Sequence, residues 1–424
     1  MPDDLDAQPG GSIGLSRGRT IGILMASASA AVSTLLITII AARSLVRDGD
    51  AGAYASFMVF WALLFGVYGI VTGMQNETTR AVNSHETALA ADPSAAPGVS
   101  VFKAGLFLSA CTALVVSLAS PWWGPRLVDD SMPHVVHLVA AGLILYGLYQ
   151  TFLGAASGLN EWPQFSWLMI LDALSRLGLV IAVAVLGAGL VGTEAACVLA
   201  SLTWILFLLP TRRGRRILGA HADVGWGRFI HNCLLSMLSS SSTAILITAF
   251  PTIIKLTSPG EDAGLLAGTI TAISLTRSPI MIPLQAFQGV AITAFLNHRG
   301  SLMRALAKPL VLIVVLGAVC AMLMFFIGPW VLRVLYDPSI IATGTTFAGL
   351  TAAAVPLAII TLTGTATVAT SAHAWFSAGW LLAALTSTLL LFLPVTLPER
   401  VCIALLLGPL IGASVHVIGL RRAS

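Results

Sequence analysis

"TRRGRR" (Thr211–Arg216) is the densest basic run in a chain that otherwise avoids charge. Of 424 residues, 57% are hydrophobic and 9% charged, where soluble proteins carry about 25% charged. Four arginines in six residues do not belong in hydrocarbon, so the run marks a break between apolar stretches. Outward from it, six Leu-rich windows lie upstream and six downstream, each of about 20 residues, enough to span a bilayer. They cover roughly 20–42, 53–74, 101–120, 135–157, 164–187 and 191–210, then 229–252, 263–289, 306–329, 343–367, 374–395 and 400–420. None shows the alternation of a membrane β-strand. The expectation is an all-α integral membrane protein of about 12 transmembrane helices, in two pseudo-symmetric six-helix lobes around a central cavity. Its parts are a disordered cytoplasmic tail over 1–19, lobes over 20–210 and 229–424, and a basic cytoplasmic linker over 211–228.

An even number of spans puts both termini on one side. With the N-terminus inside, the inner segments hold 14 Lys and Arg residues and the outer loops six. The excess predicts cytoplasmic termini in a multi-pass protein of the plasma (inner) membrane. The first span follows a polar stretch, Met1 to Arg19. Its apolar core exceeds a signal h-region, so it reads as a retained helix. "TRRGRR" falls where a topology anchor is required, and no nucleic-acid partner is expected. All five cysteines lie within spans and form no CxxC pair, which reads as packing rather than a disulfide framework. His134 and His137 have ligand-like spacing but no third ligand, so no metal is expected. No Walker motif occurs, and no cofactor is expected.

The two halves resemble one another. "STLLIT" (Ser33–Thr38) matches "STAILIT" (Ser242–Thr248) with one inserted residue. At an offset of about 210, Gln75 meets Gln285, and Gly69 and Gly73 meet Pro279 and Pro283. A parallel repeat of this kind places a substrate between the halves.

The remaining two basic residues, Arg176 and Arg277, lie inside spans. Arg277 stands 15 residues from Asp262 and 22 from Arg299, too deep to snorkel to either surface. At 100° per residue, Ser274, Gln285 and Gln288 fall within about 80° of it, a polar stripe on a helix that Pro279 and Pro283 kink. Two readings follow: the stripe lines a wet cavity, or Arg277 is tied to carbonyls of a neighbouring helix or to Asp172. Asp172, the only acid deep in a predicted span, shares a helix face with Arg176. That pair either neutralises itself structurally or couples an ion to transport. At the inner end of the second span, Gln75, Asn76, Glu77 and Arg80 form either an ordinary polar helix end or the vestibule of the cavity. "SSSST" (Ser239–Thr243) reads first as a packing face of small residues.

Two stretches carry a family likeness. "AARSLVRDGDAGAYASFMVFWALLFGVYGIVTGMQNETTRAV" (Ala41–Val82) and "SLTRSPIMIPLQAFQ" (Ser274–Gln288) resemble polysaccharide flippases of the multidrug/oligosaccharidyl-lipid/polysaccharide (MOP) exporter superfamily. The span count fits that fold over nearly the whole chain. The resemblance implies a cationic cavity between lobes that binds the phosphate of a polyprenyl-linked sugar, with Arg277 at the position of a functional arginine. "LVRDGDAGAY" (Leu45–Tyr54) departs from the family's usual turn, and the first span lacks the charges of peptidoglycan-precursor flippases.

The expected function is therefore not enzymatic. It is a flippase moving a polyprenyl-(pyro)phosphate-linked glycan from inner to outer leaflet by alternating access, for cell-envelope polysaccharide synthesis. Its partners would be that lipid-linked glycan, membrane lipids and glycosyltransferases of the same pathway. The alternative is an ion-coupled multidrug antiporter of the same superfamily, which needs unpaired acids to hold cations. A polytopic glycosyltransferase would use outer-loop acids such as those of "RDGD" (Arg47–Asp50), but the outer loops are too short to form an acceptor domain.

Overall fold

Asp48 and Gly49 take positive φ, 51° and 79°, and reverse the chain within "RDGD". Two consecutive left-handed residues make a primed turn, for which Asp-Gly is a favoured pair. The Asp50 N–H donates to the Arg47 carbonyl at 2.8 Å, and the Asp50 carboxylate accepts from the Gly52 N–H at 2.8 Å. These acids therefore shape a tight connection between α1 (Arg17–Leu45) and α2 (Gly52–Ala91).

The computed structural model describes residues 17–94, 96–127, 134–208, 210–277, 302–370 and 372–423. In the first half, α3 (Val101–Leu118), α4 (Ser120–Leu127), α5 (His134–Gly158), α6 (Trp162–Leu186), α7 (Gly189–Leu199), a 3₁₀ turn (Ala200–Leu202) and α8 (Thr203–Leu208) follow. The linker carries α9 (Arg212–Leu218). The second half holds α10 (Trp226–Ile247), α11 (Phe250–Thr257), α12 (helical over 263–277), α13 (Leu302–Leu335), α14 (Gly344–Ala369), α15 (His373–Leu390) and α16 (Leu397–Ala423). Among the described residues, nine helices are long and apolar enough to cross a membrane. Two shorter apolar helices, Gly189–Ile205 and Ala374–Leu390, and α12 occupy the other three expected spans. The chain is an all-α membrane protein of two six-helix lobes. Its lipid-facing character is clearest on α13, where Leu312, Met322 and Phe326 point outward at 63–72% exposure.

Three elements differ from the sequence reading. α2 runs 40 residues, about 60 Å, and continues far past position 74. Its extension stays helical because Thr78, Ala81, Val82 and His85 are buried against the rest of the fold. The sixth span tightens into a 3₁₀ turn at Ala200–Leu202 while the chain keeps helical dihedrals. The seventh breaks after Ile247: Thr248 and Ala249 both donate to the Ala244 carbonyl, and Pro251 begins α11. Proline has no N–H for the Ile247 carbonyl, so the helix cannot continue unbroken.

The linker run is a capped helix. The Thr211 side chain accepts from the Gly214 N–H at 2.9 Å. Arg216 lies 3.6 Å from both Glu86 of α2 and Glu161 at the start of α6. Downstream, Gly98 donates to Ala222 and Val99 to Val224, each at 3.0 Å, zipping the linker against the loop before α3.

The lobes meet along α2 and α10. Gly66, Gly69 and Gly73 of α2 face Ala249, Ala244 and Met237. At Gly73 the neighbours are backbone atoms of Ser236 and Met237, so the helix axes approach as closely as glycine permits. We call the side where α1 begins the near face and the side where it ends the far face. At the far face Thr38 and Tyr336 share a hydrogen bond of 3.0 Å, Arg43 Nε donates to the Leu335 carbonyl at 3.1 Å and its Nη2 to that of Val334, and Tyr54 meets Thr271 at 3.0 Å.

Candidate functional site

α6 places Asp172 and Arg176 one turn apart, and their side chains close on each other. Arg176 Nη2 donates to both Asp172 carboxylate oxygens at 2.9 Å. Its Nε donates to the Cys197 carbonyl of α7 at 3.3 Å, and its guanidinium lies 4.9 Å from the Phe65 ring centroid on α2. A buried cation thus gains a carboxylate, a carbonyl and an aromatic face. The pair is self-neutralised, one of the two readings of the sequence.

The pair borders a cavity of about 330 Å³ lined by α1, α2, α5 and α6. Its aromatic lining includes Trp61, Tyr146 and Tyr149. Tyr146 stacks on Tyr68 at 3.8 Å between centroids, which holds its ring in place. The cavity's polar lining includes Thr72, Gln75 and Gln150. Gln150 Nε2 donates to Thr72 Oγ1 at 2.9 Å, while its buried Oε1 has no partner among the described residues.

Of the residues predicted from sequence that the structure describes, only Gln75 joins Asp172 and Arg176 here. Glu77 and Arg80 sit instead at the near end of the lobe seam. Arg80 donates to Glu77 at 2.7 and 2.9 Å and to Asp223 at 3.0 and 3.2 Å, and Asn232 of α10 donates to Glu77 at 3.0 Å. The network ties α2 to the linker and the second lobe. Asn76, on the adjacent face, is exposed.

Arg277 lies elsewhere again. Its Nη1 donates to the carbonyls of Leu246 and Ile247 at 2.9 and 3.3 Å. These are the last carbonyls of α10, left over where Pro251 interrupts the helix, and a cation at a helix C-terminus also meets the negative end of its dipole. Among the described residues no carboxylate pairs with it, and Asp172 is not its partner. Ser274, one turn earlier, is exposed, and Gln285 and Gln288 lie outside the described residues.

Sequence reasoning missed the aromatic lining and Gln150, although "YGLYQ" (Tyr146–Gln150) puts Tyr146, Tyr149 and Gln150 at helical spacing on one face. It also passed over Glu194, near the start of the sixth predicted span, which is 1% exposed on α7.

No protein-family model matches the chain. The Mycobacterium tuberculosis "Uncharacterized protein Rv3630" is 36% identical over 430 residues, covering 98% of this chain and 96% of the relative. "Uncharacterized protein Rv1510" of the same species is 34% identical over 418 residues, covering 98% and 94%. Among solved structures, the inward-facing conformation of a multidrug resistance MATE family transporter of the MOP superfamily aligns with a TM-score of 0.68 at 16% identity, covering 95% of this chain and 98% of that one. A Vibrio cholerae MATE transporter aligns at 0.67 and 14% identity, over 96% and 95%. A MOP superfamily transporter from Pyrococcus furiosus, described as having a binding pocket of reverse polarity that suggests a different function, aligns at 0.61 and 15% identity, over 96% and 95%. This chain belongs to one family with the two Mycobacterium tuberculosis proteins, and its fold is that of the MATE transporters of the MOP superfamily.

Proposed function

We propose that the protein is a transporter working by alternating access, and that it moves a polyprenyl-phosphate-linked sugar across the membrane. The observation that carries this reading is the charge state of the first-lobe cavity. Among the described residues that line it, the one acid is already held by Arg176 through both oxygens, so they offer a cation no free carboxylate. What they offer instead is aromatic faces beside amide and hydroxyl groups, the combination that suits a neutral, hydroxyl-rich headgroup. Arg277 supplies a second intramembrane cation. One terminal nitrogen caps α10, and in this reading the phosphate would take the other nitrogens of the guanidinium. The likeness of Ala41–Val82 and Ser274–Gln288 to polysaccharide flippases supports the same substrate class.

The test is flipping of a short-chain polyprenyl-phosphate sugar in proteoliposomes. Arg277→Ala is expected to slow flipping about 10- to 100-fold, the loss that follows removal of a charge-assisted hydrogen bond. Arg277→Lys, which keeps a cation for the carbonyls and the phosphate, should retain more activity than Arg277→Ala. Wild-type rates in Arg277→Ala would refute the phosphate assignment.

A second reading, an ion-coupled multidrug antiporter, draws on the same aromatic lining and on Asp172, should Arg176 release it. It requires a deletion strain to become more sensitive to cationic dyes. Unchanged sensitivity, with flipping in vesicles, favours the sugar carrier.

A further inference from the structure

Glu194, on the second turn of α7, is a buried acid of the first lobe at 1% exposure. Its Oε2 lies 2.9 Å from Nε2 of His134, the first residue of α5. Its Oε1 has no hydrogen-bond partner among the described residues. Glu194 borders a space of about 10 Å³, walled by Ser56, Val59, Phe60 and Leu63 of α2, Leu127 of α4 and Val135 of α5. That is close to the least volume that admits one water. None of these wall residues is charged. The only titratable neighbours among the described residues are His134 and, one turn along α7, the Cys197 thiol. Residues 128–133, which precede His134 and include Asp129 and Asp130, lie outside the described ones.

The His134 side chain is 28% exposed, whereas Glu194 is sealed. A carboxylate in this setting is tolerable only with a proton shared along its bond to the imidazole. We propose that Glu194 and His134 form a proton-binding site of the first lobe, loaded from the far face through the exposed imidazole. A carboxylate beside a neutral imidazole has charge −1. One proton from water brings the pair to zero, either as an ion pair or as acid plus imidazole, and no other bond changes. Losing that proton leaves a bare carboxylate against the apolar flank of α2, so release requires water to enter between α7 and α2. The Cys197 carbonyl, one turn further along α7, holds Arg176. A shift of α7 is thereby felt at the cavity. This site is separate from the sugar assignment and stands without it.

Infrared difference spectroscopy of the purified full chain in lipid nanodiscs, titrated from acid to alkaline pH, tests the proposal. Glu194→Gln is expected to remove one pH-dependent protonated-carboxyl band that Asp172→Asn leaves in place. His134→Asn, which keeps the acid and removes its partner, is expected to displace the midpoint of that band by about one pH unit or more. The proposal is overturned if Glu194→Gln removes no such band. Should Glu194→Gln not fold, an unchanged midpoint in His134→Asn overturns it equally.

Discussion

Arg176→Ala is expected to destabilise the protein by about 3–5 kcal/mol, the cost of leaving one member of a buried ion pair alone. The side chains of Arg176 and Asp172 are 7% and 13% exposed, so little water is available to take over the lost contacts. Alanine also removes the Cys197 carbonyl's donor and the cation over Phe65. Thermal unfolding of the detergent-purified protein measures the effect. The informative partner is the double replacement Asp172→Asn with Arg176→Gln, which removes both charges and keeps polar groups of similar shape. It should recover at least half of the loss, because the penalty lies mainly in the stranded carboxylate. A double variant as unstable as Arg176→Ala would show that the guanidinium's packing, and not the charge balance, holds α6 against α2 and α7. That result would also weaken the neutral-cavity argument for a sugar headgroup.

The second large effect is expected at the lobe seam. A Cβ on Gly73 would meet backbone atoms of Ser236 and Met237, which cannot rotate away as a side-chain tip can. Gly73→Leu is therefore expected to force α2 and α10 apart, at a cost of about 1–3 kcal/mol or more from overpacking. The same seam carries the Glu77–Arg80–Asp223–Asn232 network, so transport should fall with stability. Gly227→Ala at the start of α10, where nothing lies within 4 Å of the added carbon, is the control. It should change stability by less than about 0.5 kcal/mol. Equal unfolding temperatures for the two variants would remove the seam from the account.

The twelve apolar windows and the basic run dividing them are legible from residue order. A membrane helix satisfies its own backbone hydrogen bonds, so whether a segment spans depends on that segment's composition and little else. The Asp172–Arg176 contact was legible for the same reason, being set by spacing along one helix. Arg277 shows where such reading stops. Its depth and polar stripe were visible, but the carbonyls that receive it exist because Pro251 breaks a different helix, 26 residues earlier in the chain. Glu77 and Arg80 likewise look like a vestibule until the linker's Asp223 and α10's Asn232 come beside them. The aromatic cavity draws on four helices, and the rotation of each about its own axis is set by where small residues such as Gly73 let a neighbour approach. Those rotations emerge from many weak contacts between segments distant in the chain, and no local pattern encodes them.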